Sequence, residues 1–483
     1  MKKILSLVLA LAMVLSIGLS VAQADEPTKI VWWVYAAGDA PIDTKLVVDA
    51  ANAYSADKIG VTVELIFKNE EQFDLGMNTG EYYDMTFTCD WANNFVDNAL
   101  NGMFYDITEL VKTETPALYE CIDQKYWDVA GSIDGVIYAV PTLKDMASQQ
   151  FFRMDKERYE AMGFTLPATI KFADLEPMLK AYKETYNDYP MAMGKGGLTG
   201  MTNLAQWIAG SYLCSPYSFA GTERENKIVP FWESEELMEM YRLLHKWYTL
   251  GYINPDAATV ESQGKEVRTI RSGSAWPGYY TGYTSWGDMQ VQGVCYAGPF
   301  MSIATMRGAM NAINAAHMET AEGKEKAIAC LKYLELLNTD RTFRDILRFG
   351  IEGTHFNYVD VDGVKAVKRT EQGDANWSMD GFVTGSVVNA SVTSDAIYDW
   401  DEIFKGYENA LVSTLGAFNF DKANVEAEHA ACNAVMAKYT AEMLTGTLDI
   451  DAKLPEIQAE LKAAGYEAVL AEAQAQLDAY LGK

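Results

Sequence analysis

The 483-residue sequence lacks the arrangements on which covalent chemistry is usually built: HExxH, GxSxG, a Walker-type phosphate loop and GxGxxG are all missing. Its six cysteines (Cys89, Cys121, Cys214, Cys295, Cys330, Cys432) show no CxxC and no short Cys/His spacing, which argues against a zinc site. Several read as buried free thiols, packed as small hydrophobes. Histidine is scarcer still. His245, His317, His355 and His429 show no ligand spacing, and His429 with Cys432 supplies only two ligands on one helix face. Only His355, on a loop with Glu352, has a claim to a place near a ligand. Asp360-Val-Asp362-Gly363 starts like a calcium loop but lacks the third oxygen ligand and the distant glutamate, so it reads as a hairpin turn. No cofactor and no metal is expected.

Positive charge is also in short supply. Against 67 acidic residues stand 39 basic ones, a formal charge of −28. Such a surface repels phosphate backbones and anionic head groups, so no nucleic-acid partner is expected and electrostatic membrane docking is disfavoured. A neutral or cationic ligand fits better. Long apolar runs are absent after the first residues, and so are internal repeats and low-complexity tracts. The exception is the start. Lys2 and Lys3, an apolar run from Ile4 to Val21 and Ala22-Gln23-Ala24 predict a signal peptide over 1–24 and an exported protein.

The chain is too long for one core, since single cores stop growing near about 250–300 residues. Its hydrophobic fraction of 49% is that of a globular protein, so two large lobes are expected. A strand at 30–35, a helical stretch, a strand at 61–67 and a third strand leading into "TFTCDWANNF" (86–95) spell a parallel α/β sheet. Ligands of such sheets bind at loops beyond the carboxyl ends of the strands. Trp91 lies on one of those loops, among Asp90, Asn93 and Asn94. Farther on, "DGVIYAVPT" combines an Asp134-Gly135 turn with a strand that stops at Pro141, and it predicts a crossing between lobes. Helical spacing marks 172–187, 234–250, 323–349 with a break near Asn338-Thr339, and 424–445 with two more helices to the end. The stretch "GSAWPGYYTGYTSW" (273–286) has neither helix nor strand period. Its rings cannot all be buried by their own loop, so some should face a cleft.

The leader, "WWVYAAGDAP", "FTCDWANNF", "DGVIYAVPT", "FGIEGTHF" and the terminal run from "LGAFNFDKANVEAEHAACNAVMAKY" together resemble extracellular solute-binding proteins of bacterial ABC importers. The likeness is to the large carbohydrate-type branch with a C-terminal helical domain, and it covers nearly the whole mature chain. It implies a type II periplasmic-binding-protein-like α/β fold of two lobes joined by a two- or three-segment hinge, with ligand held between the lobes. Lobe 1 would comprise 27–138 and 298–352, and lobe 2 would comprise 145–295 and 356–483. Carried over, the ligand contacts would be Tyr35, Asp39, Asp90 and Trp91 on the first lobe and Tyr138 at the hinge. Trp276, Tyr279 and Tyr280 would lie on the second lobe, with Glu352 and Trp377 on facing loops. The implied partners are an oligosaccharide and the permease subunits of an importer, with the protein a monomer at the outer face of the membrane. Positions 22–25 carry no cysteine for lipid attachment, a departure from Gram-positive relatives. A secreted glycan-active hydrolase and a peptide-binding carrier stay open as alternatives, because 67 acidic residues leave a carboxylate pair possible.

Overall fold

The computed structural model describes residues 26–198, 200–201, 204–261, 268–275, 283–286, 289–416 and 418–482. Its first sheet is centred on Thr28–Tyr35, whose Ile30, Trp32, Trp33 and Val34 are fully buried. A strand this apolar on both faces needs cover on both, which suits the middle of an α/β layer. Val61–Lys68 and Met85–Thr88 flank it in parallel, and Met310–Ile313 and Ala139–Pro141 extend the sheet antiparallel. The helix Thr44–Ile59 makes the first crossover and stops at Gly60 in the left-handed region, φ 66°. Glu70–Thr79 begins at a capping box in which Asn69 and Gln72 exchange side-chain and backbone bonds.

The second sheet is mostly antiparallel, in the order Arg271–Ala275, Ser148–Asp155, Met289–Met301, Tyr283–Trp286, with Leu411–Val412 pairing parallel to Met289–Met301. Around it pack the smaller sheet of Ala205–Ala209, Leu213–Pro216 and Val229–Pro230, the helix Glu235–Thr249, and the terminal helices Glu426–Thr445, Ile450–Ala464 and Tyr466–Tyr480. Glu235–Thr249 starts at Ser234, whose hydroxyl accepts from Leu237 N, and carries two glutamates in its first turn where the helix dipole favours them. It buries Leu237, Met240, Tyr241, Leu244 and Trp247, while Tyr248 at the same helical spacing is half-buried. Gly446 (φ 72°) lets the terminal helices press onto this helix, because a Cβ there would stand 2.3 Å from the Leu244 carbonyl.

Three segments cross between the lobes, at 142–147, 302–309 and 410–414. They run side by side: Thr142 N donates to Ala309 O (3.0 Å), Thr305 Oγ1 to Met146 O (3.0 Å) and Ser413 N to Met301 O (2.8 Å). The third crossing corrects the expected division of the chain. Residues 356–410 belong with the first lobe, whose core holds Phe343, Leu347, Trp377, Val383, Trp400, Ile403 and Tyr407, while Leu415 opens the second-lobe core. The hairpin Phe356–Val361 with Val364–Arg369 turns at Asp362 and Gly363, both in the left-handed region. Cys89, Cys214, Cys295, Cys330 and Cys432 are buried free thiols, and Cys121 is exposed and free.

Candidate functional site: a cleft between the lobes

The loop after Met85–Thr88 is a built turn. Asn93 is buried in the left-handed region (φ 49°) and its amide donates to Thr86 Oγ1 (3.0 Å) and Phe87 O (2.7 Å). Asn98 Nδ2 donates back to Asn93 Oδ1, and Asn94 Oδ1 caps the helix Phe95–Leu100 by accepting from Asp97 N (2.9 Å). The amides that make the stretch look wet are its internal scaffold. They display Trp91, which keeps 43% of its surface exposed. Its ring meets Tyr35 edge-on (4.8 Å, 89°) and Phe382 edge-on (6.2 Å, 84°), with Phe87 tilted against it. Its indole N–H donates to Gly308 O (2.9 Å) in the second crossing. A large ring held from behind and open in front is what stacking on a ligand requires.

Asp90, one residue earlier, lines a cavity of about 480 Å³ together with Asn94 and Asp97 from the first lobe. The second lobe contributes Ser148, Gln150, Gln206, Trp207, Tyr217 and Phe300, the second crossing contributes Ser302 and Thr305, and the terminal region contributes Phe418, Asn419, Phe420, Asp421 and Lys422. Water reaches the Asp90 carboxyl, yet it lies deep between the lobes. That loss of hydration pushes its pKa up to about 6, against the pull of the Arg307 guanidinium. Arg307 is fully buried, which lowers its own pKa to about 10 with Asp90 opposing. Its Nε and Nη2 donate to Ala130 O and Ser132 O (both 3.1 Å) and its Nη1 to Asn419 Oδ1 (2.7 Å). Tyr217 stacks on Phe300 (4.6 Å, 18°), so the second wall also pairs rings with polar groups.

Of the residues singled out in the sequence, Tyr35, Asp90 and Trp91 come together at the carboxyl ends of two neighbouring strands, and of the three Asp90 alone lines the cavity, with Trp91 on the adjoining loop. Asp39 is exposed on the 36–43 loop and outside the cavity lining. Tyr138 is half-buried against the first-lobe core just before the first crossing, also outside the lining. Trp276, Tyr279 and Tyr280 lie outside the described residues. One placement needs correction. Trp377 is fully buried in the first-lobe core, where its ring completes the apolar packing. Glu352 is exposed and outside the cavity lining, on a loop that His355 ties to Asp43. His355 is itself buried: its Nδ1 accepts from Ile351 N (3.0 Å) and its Nε2 bonds Asp43 Oδ2 (3.0 Å). Gln372 and Asn376 donate to the same oxygen, and these bonds hold the Asp43 carboxyl below the usual carboxylate range.

Trp207, Tyr217 and Phe418–Lys422 went unrecognised in the sequence. "GAFNFDK" carries the mixture of rings, amide and charge that marked "CDWANNF", and that likeness is the signal that could have found it.

Two α/β lobes, three parallel crossings and a ring-and-amide cavity between them define a type II, two-lobe solute-binding protein. The chain is 28% identical over 482 residues (96% of this chain, 94% of the relative) to a carbohydrate ABC transporter substrate-binding protein of Streptococcus pneumoniae serotype 4. Its fold is similar to the crystal structure of the N-glycan transport solute-binding protein of Streptococcus pneumoniae, with TM-score 0.82, 25% identity and coverage of 94% of this chain and 99% of that one. Against the same protein in complex with Man5GlcNAc the TM-score is 0.71, at 26% identity and the same coverage. Residues 414–482 match a family described as a domain of unknown function, DUF3502. Over nearly its whole length the chain is thus similar to solute-binding proteins of the ABC-importer type.

Proposed function

We propose that the protein captures an uncharged oligosaccharide between its lobes and presents it to the permease of an ABC importer, without altering it. The observation that carries this reading is the cavity of about 480 Å³ walled by both lobes, within the size range of small-ligand sites. Sugar rings offer C–H faces that stack on aromatics, and Trp207 and Tyr217 in the cavity, with Trp91 on the loop beside Asp90, supply such partners. Sugar hydroxyls need paired acceptors and donors, and Asp90, Asn94, Asp97, Asn419, Asp421 and Lys422 supply those. Three carboxylates against one lysine disfavour an acidic guest. Micromolar capture needs about −8 kcal/mol, which a few stacking and hydrogen-bonding sites can deliver.

A ligand touching both walls binds the closed arrangement better and shifts the population toward it by that difference alone. In this reading the protein is an exported monomer, and the permease engages its closed form.

The test is calorimetry of the mature chain against a panel of neutral oligosaccharides that includes Man5GlcNAc, with cationic peptides beside it, and analysis of the recovered ligand. Binding of a glycan recovered intact is the expected result. Shortened sugar would make the protein a hydrolase, and binding of peptides alone would make it a peptide carrier.

A further inference from the structure

The C-terminal region, 414–482, matches a family described as a domain of unknown function, and its first residues form part of the cleft wall. Phe418 is buried, Asn419 and Phe420 are half-buried, and Asp421 and Lys422 are exposed on the cavity side of the second lobe. This segment is irregular, so something else must fix its shape. The last helix, Tyr466–Tyr480, does so. Asp421 N donates to Gln476 Oε1 (2.9 Å) and Asp421 O accepts from Gln476 Nε2 (2.8 Å), a pair of bonds that mimics one rung of a sheet. Gln476 is braced in turn by Glu472 Oε1 (2.8 Å), which also accepts from Asn424 Nδ2 (2.9 Å). Tyr480 closes the far end, its ring 5.9 Å from that of Phe418.

The other flank of the segment faces the first lobe. Asn419 Oδ1 accepts from Arg307, whose remaining bonds go to Ala130 and Ser132, and whose neighbour Gly308 holds the Trp91 indole. The terminal region therefore touches the cavity, the second crossing and, through one guanidinium, the opposite lobe. A domain serving only as ballast for the second lobe would have no need of these links.

We propose that the C-terminal region is a working part of the binding site: Asn419, Asp421 and Lys422 bond the hydroxyls of a neutral polyhydroxylated chain, and Gln476 on the last helix positions them. This rests on the reading of the cavity as an oligosaccharide site. Asn419 gives that guest an amide, Asp421 an acceptor and Lys422 three donors, a set that matches alternating hydroxyls. The link from Asn419 through Arg307 also places this segment where a guest's arrival can be felt at the crossings.

The experiment uses the full mature chain and Man5GlcNAc, or whichever neutral glycan of the panel the wild type binds. Lys422→Ala and Gln476→Ala are each expected to weaken binding by about tenfold or more, with melting temperatures within about 2 °C of wild type. Lys453→Ala, on the outer surface of the same region, should bind as wild type does. Hydrogen exchange supplies a readout that a merely structural role would not move: amides of 418–422 should slow on adding glycan in the wild type and much less in Gln476→Ala. Unchanged affinity in Lys422→Ala and Gln476→Ala, or exchange in 418–422 indifferent to glycan, overturns the proposal. Should Gln476→Ala fail to fold, the exposed Lys422→Ala decides alone. A wild type that binds no glycan sinks the oligosaccharide reading first, visibly before any variant is made, and this proposal falls with it.

Discussion

The first-lobe side of the cleft carries a ring supported from behind, next to the lining residues Asp90, Asn94 and Asp97, whereas much of the second-lobe wall is a loop braced from its side. Trp91 stands on a turn locked by its own asparagines, backed by Tyr35 and Phe382 and hooked to Gly308. Phe418–Lys422 is instead braced by Gln476, on a helix more than fifty residues later. Local rigidity lets the first wall be set by one short stretch of sequence. The second needs the whole terminal bundle in place, which accounts for a helical region whose helices themselves scarcely enter the cavity.

The comparison can be broken in several ways. The largest effect should come from the first-lobe core: Trp377→Ala removes a fully buried indole and should cost about 3–5 kcal/mol of stability, measured by denaturant unfolding. Glycan affinity of the folded fraction should be unchanged, and a selective loss of affinity would return Trp377 to the cleft. In front of the wall the order reverses. Trp91→Ala should weaken binding by about 2 kcal/mol in calorimetry while its melting temperature stays close to wild type. On the opposite side, Trp207→Ala should cost about 1–2 kcal/mol of binding, the smaller value following from a ring already half-covered by its own lobe.

The smallest effect sharpens the electrostatics. Asp90 has a raised folded-state pKa, so the stability linked to its protonation is full below the unfolded value of about 4 and is lost as pH rises through about 6. Asp90→Asn should therefore raise the melting temperature at pH 7 slightly, since water in the open cleft screens the group. The same change should weaken glycan binding, because an ionised carboxylate is the stronger acceptor for hydroxyls. Wild-type affinity should fall as pH drops through about 6, and the variant's should stay flat. A pH-independent wild type would take Asp90 out of ligand contact.

Much of the architecture was legible in the residues. Apolar runs bounded by Gly and Pro place Thr28–Tyr35 and Val61–Lys68, helical spacing places Glu235–Thr249 and Glu426–Thr445, and Pro141 marks the first crossing. The second lobe boundary was not legible, and the reason is physical. The stretch 377–399 has no period of its own: its carbonyls at Gly381, Gly385 and Ser386 turn inward onto the buried Arg344, a bond pattern made by a residue on a distant helix. Tertiary partners likewise hid His355, whose nearness to Glu352 in sequence said nothing of Asp43. At the site itself, Trp91 could be read because its loop carries its own scaffold, and Phe418–Lys422 could not because its scaffold is Gln476.

The central claim is that both walls close on one guest, and small-angle scattering tests it most directly. Adding a saturating glycan that calorimetry shows to bind should reduce the radius of gyration of the wild type. Tight binding with an unchanged radius would place the ligand on one lobe alone and contradict the account.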